Sequence, residues 1–103
     1  MFKIEQNPTI EASVTIIGQG REQTLNVTFR AKTRSEYTAL LEGVDYSKSE
    51  SAVDVVVALI EKWDADKPVS KEAVQMLADH QPGAEWAILT AYTEALAVAK
   101  KGN

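Results

Sequence analysis

The sequence has no cysteine, a single histidine, three prolines and five glycines in 103 residues. Without cysteine there is no disulfide, no thiolate nucleophile and no zinc held through sulfur, and cysteine usage gives no reading of the redox compartment. Long apolar runs are also missing. The longest, Val55 to Ile60, falls far short of the ~20 residues that span a bilayer, so no membrane partner is expected. Met1 to Pro8 is broken by Lys3 and Glu5 and has no apolar stretch of the secretory kind. A cytoplasmic location is the expectation. A basic excess is absent too: 15 acidic residues against 11 basic ones give a formal charge of -4. Phosphate attraction needs a net or local basic excess, and Lys3, Arg21, Arg30, Lys32 and Arg34 are interleaved with acids, so nucleic acid is not an expected partner.

What is present is the profile of a folded chain, 45% hydrophobic and 25% charged. The length suits one domain over residues 1–103, divided into a β-hairpin (1–33) and a helical part (34–103). In Thr9 to Lys32, Ile10, Ala12, Val14 and Ile16 alternate with polar residues. Leu25, Val27, Phe29 and Ala31 do the same after a Gly18-Gln19-Gly20-Arg21 break. Period two with β-branched enrichment predicts two half-buried strands. With Gly20 and Arg21 as central turn residues in a II′ turn, Ile16 faces Leu25, Val14 faces Val27, Ala12 faces Phe29 and Glu11 meets Arg30. A longer loop with the same register serves equally.

After Thr33 the period becomes helical. Tyr37, Leu40, Leu41 and Val44 form one stripe, Thr33 and Glu36 have capping-box spacing, and Gly43 ends the element. Ala52 to Trp63 carries a Val55-Val56-Val57 run that favours strand. Its length and the Ser51/Asp54 spacing favour helix, which is the reading adopted. Asp64 to Pro68 is a polar turn. Ser70 caps a short helix bearing Ala73, Val74, Leu77 and Ala78, and Pro82-Gly83 precedes a last helix from about Ala84 to Lys100. Lys100 and Lys101 then suit the negative end of its dipole. The expected fold is α+β: an N-terminal hairpin followed by about four helices packed on one of its faces.

Candidate chemistry is sparse. Ser70, Asp79 and His80 contain the residue types of a catalytic triad, but no nucleophile-elbow motif accompanies them. Asp64 and Asp66 are followed at once by Lys67 and Pro68, not by the oxygen-rich run that a calcium loop needs. Gly18 and Gly20 sit between strands, where a dinucleotide fingerprint would open a helix. No catalytic, cofactor-binding or metal-binding set is therefore expected, and no enzyme. Trp63 and Trp86 lie near helix ends, where an aromatic either plugs a gap in a small core or anchors a protein–protein contact, and both readings stay open.

The segment WDADKPVSKEAVQMLADHQPGAEWAILTAYTEAL, beginning at Trp63, resembles the phage tail assembly chaperones of long-tailed bacteriophages and prophages. The features that carry the likeness are Trp63 with its acidic turn, Pro68-Val69-Ser70, Leu77, Pro82-Gly83-Ala84, Ile88, Ala91-Tyr92, Ala95 and the basic tail ending in Asn103. Gln81 departs from the tyrosine common there, and the hairpin half matches more loosely. The resemblance implies a non-enzymatic viral protein that binds the tape-measure protein, keeps it soluble during tail assembly in the host cytoplasm and does not stay in the finished tail. Apart from the resemblance, an exposed edge on each hairpin strand allows pairing across subunits, so a homo-oligomer is open. Trp86, Leu89, Tyr92, Leu96 and Trp63 are the expected partner-binding residues. The alternatives are a structural tail component retained in the virion and a small acidic inhibitor of a host protein.

Overall fold

The computed structural model describes residues 1–97. Strands β1 (Thr9–Gly18) and β2 (Arg21–Arg30) form an antiparallel hairpin. Helices α1 (Arg34–Glu42) and α2 (Ser49–Leu59) follow, then strand β3 (Ile60–Trp63), then helices α3 (Lys71–His80) and α4 (Ala84–Leu96). The sheet order is β1-β2-β3, antiparallel throughout. The α+β expectation holds, with a third strand added.

The hairpin register differs from the expected one by two residues. Gly18 pairs with Arg21, Val14 with Leu25, Ala12 with Val27 and Ile10 with Phe29. The loop is therefore Gln19-Gly20, and both residues have positive φ, 55° and 71°, as a type I′ turn requires. A shift of one residue would have turned the apolar set outward, but a shift of two preserves the faces. Val14, Ile16, Leu25, Val27 and Phe29 are accordingly buried, while Glu11, Ser13, Thr15 and Asn26 lie on the exposed side.

The second correction concerns Ala52 to Trp63. Helix α2 starts earlier, at Ser49, with Lys48 as N-cap and no side-chain cap, so Ser51 and Asp54 are helix interior. It ends at Leu59, and Ile60 to Trp63 become strand. The valines stay helical because Val53, Val55, Val56 and Leu59 are buried together in the core. The chain then turns extended because the open edge of β2 supplies partners: Val27 pairs with Trp63, Thr28 with Lys62 and Phe29 with Ile60, with a bulge between Thr28 and Phe29. Arg30 holds the junction, its guanidinium donating to the carbonyls of Ala58 (3.3 Å) and Ile60 (3.0 Å). A cation at those carbonyls also suits the negative end of α2.

Local signals elsewhere are obeyed. Thr33 and Glu36 make a reciprocal capping box, and Ser70 Oγ accepts from the Ala73 amide at 3.0 Å. Pro82 and Gly83 occupy the centre of a turn closed by Ala84 N–H on the Gln81 carbonyl. Gly83 has φ 96° there, a conformation open to glycine at little cost. Helix α4 ends at Leu96 with Ala97 extended, short of the expected Lys100; Lys100 and Lys101 lie outside the described residues. α4 packs on β1 while α2 packs on β2 and β3. Phe29, Val53, Val56, Leu59, Ile60, Val74, Ile88 and Tyr92 form the interior.

Candidate partner-binding surfaces

A groove of about 570 Å³ opens between α3 and the turn-proximal half of the sheet. Its floor is Ile16 and Leu25 from the hairpin, and its far wall is Ala73, Met76 and Leu77 from α3. Trp63 closes one end. The indole N–H donates to the Lys67 carbonyl, which fixes the ring against the β3–α3 loop. Met76 is 45% exposed at the mouth of this groove. Its unbranched thioether can adapt to irregular apolar surface. Arg21, Asp66, Lys67 and His80 supply a rim of both charge signs.

A second cleft, of about 430 Å³, lies between the N-terminal ends of α2 and α4. Tyr46 stacks on Trp86 over it, with ring centroids 5.9 Å apart and planes at 26°. Glu85 lines it yet is only 2% exposed. The two tryptophans thus line different surfaces, and Trp86 is partly buried against the core as well as stacked on Tyr46.

Of the remaining expected contacts, Leu89 and Tyr92 fall inside. Tyr92 is fully buried and Leu89 nearly so. The Tyr92 ring meets Phe29 edge-on at 5.1 Å and lies 5.1 Å from Tyr37. Its hydroxyl accepts from the Lys32 amide (2.9 Å) and donates to the Arg30 carbonyl (3.3 Å), tying α4 to the exit of β2. Burial pushes that hydroxyl's pKa up. Leu96 is partly buried against the same core. Burial therefore removes Leu89 and Tyr92 from the free surface, because the small core uses its largest side chains to join helix to sheet.

Sequence reasoning passed over Met76. The signal was there: Ala73, Met76, Leu77 and His80 fall at i, i+3, i+4 and i+7, a second stripe on α3 beside the core stripe of Val74 and Ala78. The residues weighed for catalysis have structural duties or none. The Ser70 hydroxyl is a helix cap, and Asp79 and His80 are exposed at the end of α3. Asp64 continues the sheet. Its amide donates to the Asn26 carbonyl (3.1 Å), and its carboxylate accepts from the Asn26 amide (2.9 Å) and side-chain NH2 (2.8 Å). Among the described residues there is no cluster of three or more potential metal ligands, and no helix is long and apolar enough to cross a membrane.

Among the described residues, a three-stranded sheet carries four helices, with an apolar groove of mixed-charge rim beside α3, and these define a small α+β protein. The whole chain, residues 1–103, matches the phage tail assembly chaperone family, and it belongs to that family. No curated protein and no solved structure matches it.

Proposed function

We propose that this chain binds the tape-measure protein of a long-tailed phage or prophage and keeps it soluble in the host cytoplasm until the tail tube encloses it. Its role is binding, not catalysis. Family membership supports a partner in tail assembly, and the observation that carries the finer reading is the α3 groove with its exposed Met76 and flanking Trp63. A tape measure is a long helical chain whose apolar stripes face water before the tube forms. An amphipathic helix laid in the groove would put such a stripe on Ile16, Leu25, Trp63, Met76 and Leu77, and its polar flanks on the charged rim. The net charge of -4 keeps the complex dispersed.

Co-expression with a tape-measure fragment tests this. The fragment should move into the soluble fraction with the wild-type chain and largely fail to do so with Met76→Glu. That variant places a charge on an already exposed position and leaves the core intact. A fragment equally insoluble with and without the wild-type chain removes the proposal. Mass spectrometry of purified particles should find the chain depleted relative to tail structural proteins; stoichiometric retention would make it a tail component instead.

A further inference from the structure

The main-chain groups along the outer edge of β1 face no partner among the described residues. In a two-residue hairpin loop the flanking residues form a hydrogen-bonded pair, and such pairs alternate with non-bonded ones along the ladder. Gly18 and Arg21 flank the loop, so Gly18, Ile16, Val14, Ala12 and Ile10 bond to β2. Thr9, Glu11, Ser13, Thr15 and Ile17 turn their N–H and C=O groups away from it. An independent observation agrees. Asn26, opposite Ser13, uses its amide and carbonyl on Asp64 at the other side of β2.

The two free edges of the sheet are unlike. That of β3 is four residues long, bulged, and carries exposed Glu61 and Lys62, which are common devices against edge-to-edge pairing. That of β1 is ten residues long, has Glu11 as its only charge, and contains no proline or lysine. Its register with β2 runs unbroken from Thr9 to Gly18.

We propose that β1 pairs with β1 of a second copy of this chain, antiparallel about a two-fold axis through Ser13, joining two three-stranded sheets into one. The strand's own sequence selects the occupant and the register. With Ser13 on the axis, Thr9 stands opposite Ile17 of the second copy and Glu11 opposite its Thr15, so all the outward-facing residues form bonded pairs. An axis through Val14 leaves Thr9 without a partner in the strand, and one through Ala12 leaves Ile17 without one. The like charges of Glu11 and its mate are kept several residues apart. On the helix-covered face Ile10 opposes Ile16 of the second copy and Ala12 opposes its Val14, which extends the apolar layer across the axis.

There is space for this. Small side chains on α4, Ala84 and Ala87, leave a hollow of about 410 Å³ beside Thr15, Ile16 and Ile17. Ile10 of the second copy arrives at that hollow. Ile17, 74% exposed in the single chain, gains Thr9 of the second copy as its neighbour.

Sedimentation equilibrium of the chain alone, with no tape-measure fragment, tests the pairing separately from the proposed function. The wild-type chain should be a concentration-dependent dimer. Thr15→Pro removes one outward N–H and no bond to β2, so it should give a folded monomer by circular dichroism. Thr15→Lys sets a lysine opposite Glu11 of the second copy twice per dimer and should tighten association about fivefold, whereas Thr15→Glu should weaken it by a similar factor. A wild-type monomer overturns the proposal. So does a dimer indifferent to Thr15→Pro, or one that Lys and Glu at position 15 affect alike.

Discussion

Glu85, in the first turn of α4, accepts a hydrogen bond from the hydroxyl of Ser49, the first residue of α2. One carboxylate therefore sits at the positive ends of two helices, neither of which has a side-chain cap of its own. Its other oxygen, Oε1, is buried without a hydrogen-bond partner. The two helix N-termini and the single hydroxyl offset the cost of burying the polar group.

Removing the hydroxyl should therefore cost more than an ordinary surface hydrogen bond. Ser49→Ala is expected to destabilise the fold by about 1–3 kcal/mol, since it leaves the carboxylate buried with less compensation. Urea denaturation measures it, and the double variant with Glu85→Gln should be markedly less destabilised than the sum of the two single changes. Additive effects would mean that the two groups do not act together.

At the hairpin turn, Gln19 carries a positive φ that a side chain with a Cβ adopts at a cost. Asn-Gly is the preferred pair for this turn, so Gln19→Asn should raise stability by about 0.5 kcal/mol. Gly20→Ala should lower it by about 1 kcal/mol because the alanine is forced to the same positive φ. Thermal melts of the two variants should move in opposite directions. With the axis of the alternative register, centred on Gly20-Arg21, Gln19→Asn would bring no gain.

On the exposed face of the sheet, Ser13 Oγ donates to Asn26 Oδ1 (2.7 Å), and Asn26 in turn donates from its side chain and amide to Asp64. Those two bonds, the side-chain one foremost, hold the Asp64 carboxyl below its ordinary value of 3.8. The Thr33 amide, followed by its hydroxyl contact, likewise lowers Glu36 below 4.5. A carboxyl whose folded pKa is depressed adds stability that is present above its unfolded value and lost as pH falls through the folded one. The fold should thus weaken on acidification through and below these ordinary values. Asn26→Ala should return the Asp64 titration, followed by carboxyl-carbon NMR, toward that of a free aspartate. A titration that does not move would show that Asn26 is not the cause.

The elements legible in the sequence are those made by groups close along the chain. The Thr33–Glu36 box, the Ser70 cap, the Pro82-Gly83 turn and the alternation that gives each strand an inner face all concern neighbours within a few residues. Alternation settles which face a residue takes but is blind to a slip of two, so the pairing of Val14 with Leu25 depended on which residues accept positive φ at the turn. Met76 belongs to a second stripe on α3 that the sequence shows, beside the core stripe of Val74 and Ala78. Leu89 and Tyr92 look no different in sequence from exposed apolar residues of an interface, because only packing against the sheet buries them.

By itself, then, the sequence determined an α+β chain with a two-faced hairpin, capped helices and the marks of the tail assembly chaperone family, because each is written in short-range spacing or in a run of residue types. Only the tertiary structure decided that Ile60 to Trp63 leave the helix for the edge of β2, that Glu85 joins two helix ends, and that Tyr92 is core while Met76 is surface. Those outcomes depend on which distant groups compete for the same space and hydrogen bonds, and that competition exists only once the chain has folded.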